Sequence, residues 1–117
     1  MCVAISDSET NFTKVAEIIS LGTSGEWDDY RLKRISGTLI LSVYYILYSA
    51  HDGSTWRGGF ASGSNPFSIL QKFPGNPILD LGNAGEWDES SVMYPAMIMA
   101  EDKFYVYYWG WNSIQVK

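Results

Sequence analysis

The sequence is poor in the residues that disulfide frameworks and metal sites require. It has one cysteine, Cys2, which excludes an internal disulfide, and the position of Cys2 near the start of the chain predicts a small apolar residue rather than a nucleophile. Its single histidine, His51, excludes a histidine cluster for a metal ion within one chain. We therefore expect no metal and no cofactor.

Positive charge and long apolar runs are also scarce. The net charge of −5 argues against a nucleic-acid partner, and the one basic run is Arg31, Lys33 and Arg34. No segment approaches the roughly 20 apolar residues that span a bilayer, and the first residues lack the basic start and apolar stretch of a signal peptide. The sequence does not fix the compartment, and it predicts a soluble, cytoplasmic chain by default.

A sustained helical period with capping residues is missing as well, whereas aromatic and β-branched residues are abundant. The 117 residues predict one all-β domain. Short apolar and aromatic runs separated by polar turns mark the expected strands. These strands are 2–6, 11–15, Leu39–Leu41, Val43–Tyr48, Arg57–Ser62, Ser68–Phe73, Val92–Met99 and Phe104–Trp109, with a turn at Glu101 and Asp102.

The sequence contains an internal repeat. Residues 18–53 and 78–113 align without a gap at an offset of 60, and the loop GTSGEWDDY at Gly22 returns as GNAGEWDES at Gly82. Such repeats are typical of architectures that stack one supersecondary unit on the next. The identical positions of the first copy are Ile18, Leu21, Gly22, Gly25, Glu26, Trp27, Asp28, Tyr45 and Tyr48.

Four strands in each unit of about sixty residues match a β-propeller blade. Residues 2–15 have the pattern of the third and fourth strands of a blade, and residues 92–109 have that of a first and second strand. The chain is thus predicted to hold a half-blade, a whole blade and a half-blade, which head-to-tail assembly would close into a ring. We favour a six-bladed homotrimer over a four-bladed homodimer, because four blades require steep packing. A truncated chain that has lost further blades is the open alternative.

The stretch GEWDESSVMYPAMIMAEDKFYVYYWGWN resembles the opening of a blade in the five-bladed propeller glycosidases, the arabinanase, xylosidase, invertase and mannoside-phosphorylase relatives. In that family a Gly-x-Trp-Asp loop leads to a Pro-containing first strand and then to an aromatic second strand. The segments YSAHDGSTWRGGFAS and FSILQKFPGNPILDLG are similar to the remaining strands. The resemblance covers about two blades and implies carbohydrate as the ligand.

Glycosidases of this kind use paired carboxylates, one as proton donor and one as nucleophile or base. The resemblance therefore makes Asp28, Asp29, Asp88 and Glu89 weak catalytic candidates. Because the Trp-Asp pairs recur in both units, capping of backbone amides is the favoured interpretation of these carboxylates.

Loops on one face of a propeller carry its ligand site, and aromatic and polar side chains there suit a sugar. The expected ligand-binding residues are Tyr30, Arg31, His51, Asp52, Trp56, Arg57, Tyr94, Trp109, Trp111 and Asn112. For the tryptophans taken singly, packing between blades is favoured over ligand binding, and for His51 a solvated turn position is favoured. Arg31 and Lys33 are expected on one side of a strand, where salt bridges are favoured over an anionic ligand.

Three functions follow from these patterns. We favour a glycosidase-like module that binds carbohydrate or another small ligand without a full catalytic set. The alternatives are a glycoside hydrolase or phosphorylase that is active only as an assembled oligomer, and a structural or protein-interaction module.

Overall fold

The computed structural model describes residues 1–5, 8 and 13–112, apart from the side chains of Val3, Ile5, Arg34, Tyr94 and Pro95. This part of the chain is all-β, as the composition predicts, and its strands form three antiparallel sheets. The strands are β1 (Cys2–Ile5), β2 (Thr13–Glu17), β3 (Arg31–Ile40), β4 (Val43–His51), β5 (Trp56–Gly63), β6 (Gln71–Lys72), β7 (Ser91–Ala100) and β8 (Lys103–Trp111).

The central sheet has four strands in the order β3-β4-β5-β6, and β1-β2 and β7-β8 form two-stranded sheets. The β3–β4 pairing runs from Arg31 opposite His51 to Ile40 opposite Val43. β3 begins well before the apolar run that predicts a strand at 39–41, since pairing to β4 holds its polar first half in the sheet. The strand expected at 68–73 shrinks to β6.

The two long hairpins have the same construction. In the first, Leu41 and Ser42 turn the chain with φ angles of 48° and 67°, so the strand stops one position short of its predicted end. In the second, the predicted turn at Glu101 and Asp102 is confirmed, with φ angles of 53° and 59°. Two successive residues at positive φ give the tight turn whose twist matches a right-twisted hairpin.

The buried core lies on one face of the central sheet. Its members come from two strands and two connecting segments and are Ile18, Ile19, Tyr48, Ala50, Ala61 and Leu70. Trp27 stacks on Tyr48 at 5.8 Å between ring centroids, and both rings press on β5 at Gly59. A Cβ atom at position 59 would lie 2.5 Å from Trp27 and 2.6 Å from Tyr48, so only glycine fits beneath these rings.

The opposite face of the central sheet packs against the β7–β8 hairpin. The Met97 amide donates a hydrogen bond to Ser36 Oγ at 3.3 Å, and the Tyr45 and Phe104 rings meet at 5.8 Å. Between the two sheets lies a cavity of about 310 Å³ lined only by apolar side chains, among them Leu47 and Val106. The β7–β8 hairpin therefore contacts the central sheet without filling the space between them.

Candidate functional site

The two Gly-x-Trp-Asp loops are held by the same hydrogen bonds. Glu26 accepts from the Thr23 amide at 2.8 Å, and Asp29 accepts from the Gly25 amide at 2.6 Å. In the second loop Glu86 accepts from the Asn83 amide at 2.7 Å, and Glu89 accepts from the Gly85 amide. The catalytic candidates Asp29 and Glu89 are thus engaged by the backbone of their own loops.

The other two catalytic candidates, Asp28 and Asp88, are buried behind these loops, at 2% and 8% exposure. Asp28 forms an ion pair with Lys72 at 2.6 Å, whereas Asp88 accepts a hydrogen bond from the Tyr108 hydroxyl at 3.3 Å. Burial, together with the nearby Asp28 carboxylate, raises the pKa of Tyr48. Both aspartates sit against a stacked Trp–Tyr pair, and Asp28 also lines a cavity of about 270 Å³ together with Lys72.

Three of the predicted ligand-binding residues form an aromatic cluster, defined as Tyr30, His51 and Trp56. The ring centroids of His51 and Trp56 lie 4.7 Å apart, and those of Tyr30 and His51 lie 5.7 Å apart. Strand register explains the grouping, because His51 ends β4 directly opposite Trp56 at the start of β5. His51 is fixed further by its Nδ1 atom, which accepts a hydrogen bond from the Gly53 amide at 3.0 Å.

Two cations flank the aromatic cluster. The Arg31 guanidinium lies 5.0 Å from the centre of the Tyr30 ring, and the Lys33 ammonium lies 5.5 Å from that of Trp56. Both side chains are exposed, on one side of β3 as expected. The salt bridges expected of them are not formed within the described residues. Glu26 and Asp29 accept from loop amides, and Asp28 pairs with Lys72.

The predicted residues Asp52 and Arg57 form an ion pair beside the aromatic cluster. Arg57 donates from Nη1 to Asp52 at 2.8 Å and from Nε to Asp80 at 2.7 Å. Burial alone would raise the pKa of Asp52, but hydrogen bonds from the Thr55 and Ser54 amides and from Arg57 outweigh it and lower that pKa to about 2. Asp52 is therefore ionised at neutral pH.

A polar cleft of about 330 Å³ runs from this ion pair to the first Gly-x-Trp-Asp loop. Trp27 and Glu26 line it opposite Asp52, Arg57 and Asp80. The sequence patterns do not predict Asp80, Glu26 and Trp27 as part of a polar surface. A signal existed for Asp80, since the position sixty residues earlier is Ser20, so the carboxylate belongs to one repeat alone.

The remaining predicted ligand-binding residues lie elsewhere. Trp109 and Trp111 are on β8 with Tyr107, and they share one side of that strand. Asn112 is buried and donates from Nδ2 to the Glu86 carbonyl at 2.7 Å. The Tyr94 side chain lies outside the described residues. The predicted set therefore divides into the aromatic cluster with its ion pair, the β8 tryptophans and a buried asparagine.

Neither a protein-family model nor a curated protein sequence matches the chain. Among residues 1–5, 8 and 13–112, no helix has the length and hydropathy needed to cross a membrane. In the same part of the chain, no group of three or more histidine, cysteine, aspartate or glutamate side chains could hold a metal ion.

Proposed function

We propose that the chain is a glycosidase-like β-propeller module that binds carbohydrate through the aromatic cluster and does not catalyse. The four-stranded antiparallel meander β3-β4-β5-β6 supports the propeller, because it has the strand order of a blade. The recurrence of the Gly-x-Trp-Asp loop, with the same hydrogen bonds in both repeats, supports a radially repeated unit.

One observation carries the binding proposal: the aromatic cluster lies next to fixed polar groups at one end of the central sheet. A sugar ring presents a flat C–H face, which suits Tyr30 or Trp56, and hydroxyl groups, which need directional partners. Arg31, Lys33 and His51 supply charge and hydrogen-bonding capacity beside the rings. Because the strand register and the Gly53 amide hold His51 in place, the cluster is largely formed before a ligand arrives.

The same geometry gives little support to catalysis. Asp29 and Glu89 bind loop amides, and Asp28 is neutralised by Lys72. These contacts favour binding without turnover over the hydrolase alternative.

The test is a glycan-array screen of the 117-residue chain, followed by calorimetric titration of the best oligosaccharide. We expect Trp56→Ala to weaken binding about tenfold, since an aromatic stacking contact contributes about 1.4 kcal/mol. Trp109→Ala is the matched control, because it removes the same side chain from β8 and leaves the aromatic cluster intact. Equal losses in the two variants would contradict the assignment of the site.

The bound oligosaccharide is then incubated with the protein and analysed for cleavage products. We expect none. Turnover that Asp28→Asn or Asp88→Asn abolishes would favour the hydrolase alternative. Failure of every glycan to bind would overturn the proposal and favour the protein-interaction module.

A further inference from the structure

Within the described residues, β1 has the hydrogen-bonding position of β5 but lacks a counterpart of β4, the strand that pairs with the other edge of β5. In the central sheet Gly58 and Leu79 exchange amide-to-carbonyl bonds of 2.9 and 3.2 Å, and the Ile78 amide also donates to Gly58. At the start of β1, Met1 and Ile19 exchange bonds of 2.9 and 3.3 Å, and the Ile18 amide also donates to Met1.

Ile18 and Ile19 are the repeat equivalents of Ile78 and Leu79 at the sixty-residue offset. The matching bonds therefore place Met1 at the position of Gly58, and with it β1 at the position of β5. β1 then continues into its pairing with β2, as β5 continues into its pairing with β6.

β8 has the position of β4 but, within the described residues, lacks a counterpart of β5. It pairs with β7 as β4 pairs with β3, and both hairpins end at equivalent positions, with Arg31 opposite His51 and Ser91 opposite Trp111. β4 also pairs along its other edge with β5, from Tyr44 opposite Gly63 to His51 opposite Trp56. Within the described residues the corresponding edge of β8 has no strand partner.

We propose that β1 of a second copy of this chain adds to the free edge of β8. The β4–β5 register, with Ser49 opposite Gly58 and Ile46 opposite Ala61, fixes the expected pairing. When β8 takes the place of β4 and β1 takes the place of β5, the same register places residue 109 opposite residue 1 of the other copy. It also places Tyr108 opposite Cys2, and Val106 opposite Ala4. An unpaired strand edge is a template for such addition.

The packing under Trp87 agrees with this register. In the first repeat, Trp27 lies over Gly59 on β5. The β4 residue that is equivalent to Gly110 of the second repeat is Ala50. In the second repeat Trp87 lies over Gly110, the equivalent of Ala50, where a Cβ atom would meet the indole at 2.1 Å. The incoming strand then carries a side chain, Cys2, where β5 has glycine. The glycine beneath the tryptophan is therefore on β5 in the first repeat and on β8, the equivalent of β4, in the second repeat.

The exposed side of β8 fits the same partner. Tyr105, Tyr107, Trp109 and Trp111 are all exposed on it. Their equivalents in β4 include Leu47 and Ser49, which are fully buried, on the side of the central sheet that packs against β7. A second copy that supplies β1 brings its own central sheet next to β8, and this sheet would cover the aromatic side chains.

Each copy offers one β1 and accepts one, so the contact is head-to-tail and closes if the rotation allows. One whole blade and one shared blade per copy give six blades in a trimer, the assembly we expect, and four in a dimer. The proposal does not rest on carbohydrate binding, because the aromatic cluster lies entirely within the first repeat.

The test is disulfide trapping in a Cys2→Ser background, where Ala4→Cys and Val106→Cys introduce the only thiols. Residues directly opposite on antiparallel strands lie within disulfide distance, so we expect oxidation to link separate chains, reversibly with reductant. Ala4→Cys with Tyr107→Cys is the control, because a one-residue shift places the thiols on opposite faces of the sheet. Linkage in the control and not in the designed pair would overturn the register.

The mass of the unmodified chain in solution, measured by light scattering, keeps the proposal testable if these variants misfold. Three chains support the six-bladed ring, and two chains with the trapped disulfide support strand addition in a four-bladed one. A monomer at all concentrations overturns the proposal. Glycan binding by such a monomer would leave the carbohydrate site standing.

Discussion

β4 and β8 are repeat equivalents in very different surroundings. Both are nine-residue strands, both follow a tight turn, and Tyr45 and Tyr48 in β4 recur as Tyr105 and Tyr108 in β8. β4 is flanked by β3 and β5 and is largely buried, with Leu47 at 1% exposure. On β8 the equivalent Tyr107 is 61% exposed and Trp109 is 71% exposed. The two hairpins have the same backbone pairing, so the difference in side-chain exposure between β4 and β8 comes from the strands and sheets that surround each hairpin.

The largest difference we expect is between Leu47→Ala and Tyr107→Ala. Truncation of a fully buried leucine costs about 3 kcal/mol of unfolding free energy, whereas an exposed side chain contributes less than about 0.5 kcal/mol. Urea unfolding at two protein concentrations measures both. The cost of Leu47→Ala should be the same at both concentrations, because its packing lies within one chain.

If a second copy covers β8, the cost of Tyr107→Ala should grow with protein concentration. A large cost for Tyr107→Ala that does not depend on concentration would mean that β8 is buried within a single chain. The proposed difference between a buried β4 and a β8 that is exposed in the single chain would then be wrong.

The buried aspartates of the two loops give the next comparison. Asp28→Asn removes the charge that partners Lys72, and because the Lys72 side chain is 30% exposed, the loss costs about 2 kcal/mol, less than for a fully buried pair. Asp88→Asn disturbs only a hydrogen bond from Tyr108, which contributes about 1 kcal/mol. Chemical denaturation of both variants measures the difference.

The double variant Asp28→Asn with Lys72→Met is the control for the ion pair. It should recover most of the loss, because no buried charge is then left unpaired. Equal costs for the two aspartates would show that the ion pair with Lys72 adds nothing to the first loop.

The sequence predicts the all-β class and the turn at Glu101, because these depend on local composition. Of the ten residues that it predicts to bind a ligand, Tyr30, His51 and Trp56 lie together. It does not predict that Asp80 pairs with Arg57 across 23 positions, since that contact depends on the return of the chain after β6. The polar first half of β3 is missed for the same reason: pairing with β4 outweighs its weak strand propensity.

Tyr48 and Tyr108 provide a comparison at alkaline pH. The pKa of each is raised by burial and by the neighbouring aspartate, so each favours the folded state while it is protonated. This stability is fully present below about pH 9, and it is lost as the pH rises through about 10, the pKa of tyrosine in the unfolded chain. The loss amounts to about 1.4 kcal/mol per pH unit for one buried tyrosine.

We expect Tyr48→Phe to flatten the decline of unfolding free energy between pH 9.5 and 11, roughly the range in which an unfolded tyrosine ionises. Tyr108→Phe should flatten it less, because Tyr108 is only half-buried. Urea unfolding across this range measures both slopes. An unchanged slope in Tyr48→Phe would mean that this hydroxyl is open to solvent.

The smallest expected effect is at Asp52, which the second repeat replaces with Asn112. The Asp52 carboxylate accepts hydrogen bonds from Ser54, Thr55 and Arg57, whereas Asn112 is buried against the Glu86 carbonyl. Because the pKa of Asp52 is lowered, its contribution to stability is present above pH 4 and disappears as the pH falls towards 2.

Asp52→Asn gives the first repeat the residue of the second. We expect it to cost about 1 kcal/mol at pH 6, the upper end for a solvent-accessible ion pair, and almost nothing near pH 2. The difference between the unfolding free energies of the variant and the unmodified chain, followed from pH 6 to 2, isolates this group from the other carboxylates. Asp80→Asn is the control, since it removes the other partner of Arg57 and leaves the Ser54 and Thr55 bonds to Asp52. A difference that persists at pH 2 would show that an asparagine side chain does not fit at position 52. The two repeats would then differ in loop shape rather than in charge.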